Sequence, residues 1–303
     1  MESDTIRDVL ARACVGTRIG EIRRLDAGRT SRQWVADTDE GPLLVKVPVR
    51  ETDPEHQRHL VAATRLASET GVPTVRFRSV VADDEDLGTP VLVQEFLAGD
   101  PADQVWDELT AGERESLAVQ LGTALGDLHS TPRPWFGDVL GRERRADVRT
   151  WLTDAVYARL RSAPEDIVPA GREALLAAFE VAIERIPADE PAALTHGDLW
   201  LPNLVVHRGR ISGVLDFEHA AFGERFQDFG KLEEHLTRPH PDIRSALLMA
   251  YDARCPLPED WESRIELSRA LNALSMCVYF SRWQPELAPE YAAELEAWLT
   301  ARA

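Results

Sequence analysis

A chain of 303 residues, 44% of them hydrophobic, is long enough to bury a large core in one or two domains. Its net charge of −18 argues against a nucleic-acid partner, because phosphate binding needs concentrated Lys and Arg. No apolar run reaches the length of a membrane span, the acidic start MESDTIRDVL lacks the apolar stretch of a secretory signal, and the widely spaced Cys14, Cys255 and Cys277 suit a reducing cytoplasm better than a disulfide framework or a metal knuckle.

The first hundred residues read mostly as strands. EIRRLDAG, SRQWVADT, PLLVKVPV, TVRFRSVVAD and PVLVQEFL are short, rich in β-branched and apolar residues, and separated by turn-forming pairs. One helix, over 54–70, interrupts them, which predicts an antiparallel sheet carrying one helix. After EFLAGDPAD the pattern changes. Thr110 and Glu113 make a capping-box signature, and Leu117, Leu121, Ala124, Leu125 and Leu128 follow at helical spacing. Leu175, Phe179, Ile183 and Ile186 mark a second helix, stopped by Pro187. Phe226, Phe229, Leu232 and Leu236 mark a third, and further helices are predicted over 260–283 and 289–301. The expected fold class is therefore α+β, with a small β-rich lobe over 1–97 and a larger helical lobe over 98–303.

Between the second and third helices lies LTHGDLWLPNLVV, 194–206, an apolar run that carries His196, Asp198 and Asn203. Buried polar groups cost free energy unless they are partnered, so these three are either satisfied structural residues or the seat of the chemistry. LVV, HRGR and ISGVLDF read as two strands around a turn. With Gly209-Arg210 as a two-residue type II′ loop, cross-strand pairs sum to 419 and Asn203 faces Asp216; a longer loop would shift that register. A carboxamide oxygen beside a carboxylate suits Mg²⁺, which takes oxygen ligands from one or two carboxylates plus substrate phosphates. Asp198 then remains to accept a hydroxyl proton as a general base.

H-G-D-x-x-x-x-N, 196–203, followed by V-L-D-F, 214–217, resembles the catalytic and metal-binding loops of the protein-kinase-like fold, and in particular the aminoglycoside phosphotransferase family, in which H-G-D stands where protein kinases have H-R-D. The resemblance covers nearly the whole chain and includes macrolide phosphotransferases and fructosamine kinase-like proteins. It implies a two-lobed kinase-like fold that transfers the γ-phosphate of ATP or GTP to a hydroxyl of a small molecule. Asp198 would be the base, His196 would brace the same loop, and Asn203 and Asp216 would bind Mg²⁺. An antibiotic of aminoglycoside or macrolide type is the first candidate acceptor, since acidic charge favours cationic substrates, although such charge more often serves solubility. A metabolic alcohol, sugar or glycated amine is the alternative. Oligomeric state is open between monomer and dimer.

Only two of the 34 basic side chains are lysines, Lys46 and Lys231, so each raises the question of what Arg would not do in its place. Lys46, inside the apolar strand LLVKVP, matches the kinase lysine that meets the nucleotide phosphates; a snorkelling edge lysine is the plainer alternative. The acidic partner of Lys46 is not evident: Glu55 is a candidate but lies early in the helix, Glu51 and His59 are nearby, and no acidic residue stands in the middle of the helix. The nucleotide turn is AGRTSRQW, 27–34, where Thr30 and Ser31 supply small polar groups without G-x-G-x-x-G. VLVQEFLAG resembles the hinge, with the backbone at Glu95 and Leu97 meeting the base. Trp200, where the family commonly has HPGN, resembles the fructosamine-kinase branch and is a candidate acceptor contact, as is Glu218 in the Glu218-His219 pair that follows Asp216-Phe217. Asp228 matches a family aspartate that anchors the loop.

Two readings of other classes compete. A metal-dependent hydrolase would use His196, Asp198, Asp216 and His219 as zinc or manganese ligands, which leaves Asn203 and Lys46 without a role. A catalytically inactive kinase-like binding module is the non-enzyme alternative.

Overall fold

A computed structural model describes residues 2–25, 30–50, 52–84, 87–164 and 171–302. The fold is mixed α+β and divides into two compact units. The first is Met1–Glu108 with Pro202–His219; the second is Leu109–Leu201 with Ala220–Ala303.

In the first unit, α1 (Glu2–Ala13) is followed by β1 (Ile19–Leu25), β2 (Ser31–Thr38) and β3 (Leu43–Pro48), then α2 (Pro54–Glu69), β4 (Phe77–Asp84) and β5 (Thr89–Glu95). The strands form one antiparallel sheet in the order β1-β2-β3-β5-β4. The helix expected over 54–70 is α2, capped by the Asp53 side chain on the Glu55 amide. The helix α1 goes beyond the sequence reading. Its Ile6, Val9 and Leu10 share one face and bury against Trp34, Val45, Val47, Val91 and Val93 of the sheet. Each of those three side chains is worth about 1.5–3 kcal/mol of burial.

Leu204–His207 and Arg210–Val214 form the expected hairpin in this unit, and Asp100–Pro101 adds a third strand beside it. Its turn differs from expectation. The two loop residues are Arg208 and Gly209, both at positive φ (50° and 72°), the backbone of a type I′ rather than a type II′ turn. His207 pairs with Arg210 and Val206 with Ile211, but Val205 pairs with Gly213, so Ser212 is an extra, bulged residue. The bulge sets Leu204 opposite Val214, and the Leu215 amide donates to the Asn203 carbonyl at 2.8 Å. Asn203 thus lies opposite Leu215, one position short of Asp216. Leu97 lies over Gly213, where a Cβ would collide with it, and the Val214 amide donates to the Pro73 carbonyl at 2.7 Å.

The second unit is mostly helical. The Thr110–Glu113 capping box forms as expected and opens the helix Ala111–His129. On that helix Gly122 meets the Leu247 backbone of helix Pro241–Asp252, an approach that any Cβ would block. Helices Arg172–Glu184, Trp261–Trp283 and Ala288–Thr300 match the expected ones, while Val148–Ser162 and Pro241–Asp252 are additional. The third expected helix is α-helical only over Gln227–Leu232 and continues as a π-helical turn, Glu233–Thr237. A small sheet in the order Arg144–Arg145, Phe136–Gly137, Ala221–Gly223, Ala193–Thr195 delivers the chain to His196. No helix among the described residues is long and apolar enough to cross a membrane.

Candidate active site

The residues singled out in the sequence fall in both units. In the second unit the strand Ala193–Thr195 ends at His196-Gly197-Asp198. Gly197 has φ +79°, a conformation that side chains disfavour. The loop is fixed from beneath by Asp228. Its carboxylate accepts the His196 amide at 2.8 Å and the Gly197 amide at 2.7 Å. It also accepts Nε2 of His129 at 3.1 Å, and His129 Nδ1 in turn takes the Tyr251 hydroxyl at 3.1 Å. Burial pushes the Asp228 carboxyl up, but the hydrogen bonds from His129 and the His196 amide outweigh it and hold the carboxyl below the ordinary carboxylate value.

His196 is fully buried, and its Nδ1 accepts the Asp198 amide at 3.2 Å. That bond ties the buried ring to the backbone at Asp198. The Asp198 side chain is 26% exposed, and its Oδ1 accepts Nζ of Lys231. That ammonium also lies 4.4 Å from the centroid of the Trp200 ring, and His235 packs on the same indole at 5.3 Å.

In the first unit Asn203 is buried at the end of the 3₁₀ turn Leu201–Asn203. Asp216 has φ +67°, a left-handed backbone that is uncommon outside glycine but that aspartate tolerates better than most residues. The carboxamide of Asn203 and the carboxylate of Asp216 are hard oxygen donors of the kind Mg²⁺ takes. Glu218 meets His56 of α2 at 3.2 Å and His219 at 3.7 Å. Among the described residues no three His, Cys, Asp or Glu side chains are gathered as a metal set.

Lys46 sits on β3 between Gln33 and Leu92 and is half-buried. Among the described residues its ammonium has no hydrogen bond or ion pair. Of its candidate partners, Glu55 engages Arg58 and Glu51 lies outside the described residues. Thr30 accepts the Val49 amide at 2.8 Å through its carbonyl, and the Ser31 hydroxyl accepts from Gln33 at 3.3 Å. The rest of that turn, 27–29, lies outside the described residues. At the hinge stretch the Glu95 amide donates to Arg76 at 2.9 Å and its carboxylate lies 3.6 Å from Arg78.

A family model described as the phosphotransferase enzyme family (APH) matches residues 21–267. The chain belongs to this family. Among curated proteins, acyl-CoA dehydrogenase family member 10 of Mus musculus is 26% identical over 196 residues, 59% of this chain and 17% of that protein. An Escherichia coli aminoglycoside 3'-phosphotransferase is 30% identical over 71 residues, 23% of this chain and 26% of that protein. The matches thus span only a fraction of those relatives. Among solved structures, aminoglycoside phosphotransferase APH(4)-Ia aligns over 100% of both chains with a TM-score of 0.74 at 15% identity. Macrolide 2'-phosphotransferase MphH from Brachybacterium faecium aligns over 96% of this chain and 97% of that chain, with a TM-score of 0.66 at 21% identity. A further APH(4)-Ia structure, a thermostable mutant in ternary complex with AMP-PNP and hygromycin B, aligns over 99% of both chains with a TM-score of 0.70 at 16% identity. At these identities the likeness is one of fold, and the fold is that of the phosphotransferases.

Three contacts go beyond the sequence reading: in the second unit the Lys231–Asp198 pair and the His129–Tyr251 support of Asp228, and in the first unit the His56–Glu218 contact. The rarity of lysine is the sequence signal for the Lys231–Asp198 pair.

Proposed function

We propose that the protein transfers the γ-phosphoryl group of ATP or GTP to a hydroxyl of a small molecule. The observation that carries this reading is Asp198, a partly exposed carboxylate on a loop whose backbone is held by the buried Asp228, five residues before Asn203. Membership of the phosphotransferase family supports it. In the reaction the acceptor oxygen bonds to the γ-phosphorus, the bond from that phosphorus to the bridging oxygen breaks, and the nucleoside diphosphate leaves. Asp198 orients the hydroxyl and takes its proton. Asn203 and Asp216 are assigned to hold Mg²⁺, which when bound offsets the charge of the phosphate oxygens. Lys46 is assigned to those oxygens as a point charge, with Thr30 and Ser31 at the phosphate turn and the backbone at Glu95 and Leu97 against the base. The nucleotide belongs to residues 1–97, and residues 98–303 carry the catalytic and metal loops and the acceptor.

The acceptor we favour is an antibiotic of aminoglycoside or macrolide type. The hygromycin B complex of APH(4)-Ia and the macrolide 2'-phosphotransferase among the similar structures support that choice. Free Cys14, Cys255 and Cys277 fit a cytoplasmic location.

The test is transfer of label from γ-³²P-ATP or γ-³²P-GTP to a panel of aminoglycosides, macrolides, sugars and glycated amines, preceded by a thermal-shift screen for native-state binders. Asp198→Ala is expected to fold and to lose about 10²–10⁴-fold in kcat. Turnover near the wild-type rate in the folded variant sinks the assignment of the base.

A further inference from the structure

The catalytic loop is gripped twice by one short helix, Gln227–Leu232. Asp228 holds its backbone at His196 and Gly197, and Lys231, three residues on, holds the carboxylate of Asp198. Positions three apart share a helix face, so the two grips act on one side of the loop. The Lys231 side chain is 16% exposed and its ammonium is seated over the Trp200 ring, so the cation is fixed by an indole face as well as by Asp198. The helix then widens into the π-helical turn Glu233–Thr237, which brings His235 onto the same indole. Asp198, Trp200, Lys231 and His235 form one cluster within the second unit.

We propose that Lys231 is a positioning residue for Asp198, and that lysine is kept there because it engages the base through one oxygen. The inference rests on the phosphotransferase reading above. This chain places Arg at 32 of its 34 basic positions. A guanidinium is a planar fork that takes both oxygens of a carboxylate together, and those oxygens are the two proton-accepting atoms of the base. An ammonium is a compact point charge, and here it meets Oδ1. It fixes the direction of the carboxylate, and the Trp200 face keeps the cation in place while the acceptor hydroxyl is docked.

The experiment compares Lys231→Arg and Lys231→Met with wild type, using the best acceptor from the labelling panel, with Mg-ATP or Mg-GTP as donor. A pair that served only the fold would be rescued by Lys231→Arg. The expected result is that Lys231→Arg keeps the melting temperature and the KM for the nucleotide, while kcat falls by about tenfold or more. In an Asp198→Asn background, Lys231→Met should cause no further loss of kcat, because the lysine acts through the carboxylate. Wild-type kcat in Lys231→Arg overturns the proposal, as does an undiminished effect of Lys231→Met in the Asp198→Asn background. If Lys231→Met does not fold, Lys231→Arg alone decides. If wild type transfers no phosphoryl group to any member of the panel, the phosphotransferase reading and this inference fall together; an active wild type with indifferent Lys231 variants overturns this inference alone.

Discussion

The amide of His196 and the carboxylate of Asp228 meet at 2.8 Å in the buried interior, 32 residues apart in the chain. Asp228 gathers three N–H donors there, from His196, Gly197 and His129. A buried anion so satisfied is a rigid foundation, and removing its charge leaves the donors desolvated.

Asp228→Asn presents an amide NH₂ to groups that are themselves donors. It is expected to cost about 3 kcal/mol in urea unfolding, since hydrogen bonds to charged groups are worth about 1.5–3 kcal/mol each. The folded value of Asp228 is lowered, so the group adds stability above about pH 4, the ordinary value of an unfolded aspartate, and loses it as the pH falls through the lower folded value. Wild type should therefore lose stability below pH 4 more steeply than Asp228→Asn. Parallel acid limbs for the two proteins would contradict this.

Glu224 has the opposite sign. Burial pushes its carboxyl from 4.5 up to about 7, against the pull of Arg264 at 3.5 Å. A raised folded value gives stability that is present in full below about pH 4.5 and is lost as the pH rises towards 7. Glu224→Gln removes this titration, so its stability relative to wild type should improve between pH 5 and 8, by about 3 kcal/mol at most. Arg264 keeps Glu190 and Asp260 as partners in that variant, each at 2.9 Å. A difference between the two proteins that does not change with pH would rule out the buried titration.

Much of this was legible in the sequence, for physical reasons. The strands, α2, the capping box and most of the helices follow from local periodicity and cap chemistry. The hairpin of Leu204–His207 and Arg210–Val214 was legible because a hairpin is a short-range object that depends on few residues. The register differs by one residue from the one a turn at Gly209-Arg210 predicts, because the turn starts at Arg208 and Ser212 bulges, and bulges have no strong sequence signature. The helix α1 carries a readable i, i+3, i+4 stripe in Ile6, Val9 and Leu10, but it is short and adjoins a strand-rich stretch whose pattern dominates there. Lys231 was conspicuous by rarity alone. Its contact with Asp198 joins positions 33 residues apart, and which helix face meets which loop is a tertiary fact.

Lys46 offers a separation of function from stability. Its ammonium has no partner among the described residues, and its neighbours along the strand, Val45 and Val47, are apolar. Lys46→Met should leave the melting temperature unchanged or raise it, while affinity for Mg-ATP falls by about 10–100-fold, the worth of a charge-assisted contact to phosphate. Calorimetric titration reads the affinity. Binding within twofold of wild type would remove Lys46 from the nucleotide site.

The hairpin turn makes the last prediction. Arg208 is exposed and held at φ 50°, beside Gly209 at φ 72°. Asn tolerates that conformation better than Arg, and Asn-Gly is the favoured pair for a type I′ turn. Arg208→Asn should therefore stabilise the protein by about 0.5–1 kcal/mol, and Gly209→Ala should destabilise it by about 1–2 kcal/mol, because alanine must then adopt the left-handed backbone. A type II′ turn at Gly209-Arg210 gives a different pattern: it needs positive φ at position 209 alone and nothing special of position 208. Denaturant midpoints for the two variants distinguish the turns. A neutral Arg208→Asn combined with a costly Gly209→Ala would favour the type II′ register, and with it the direct pairing of Asn203 with Asp216.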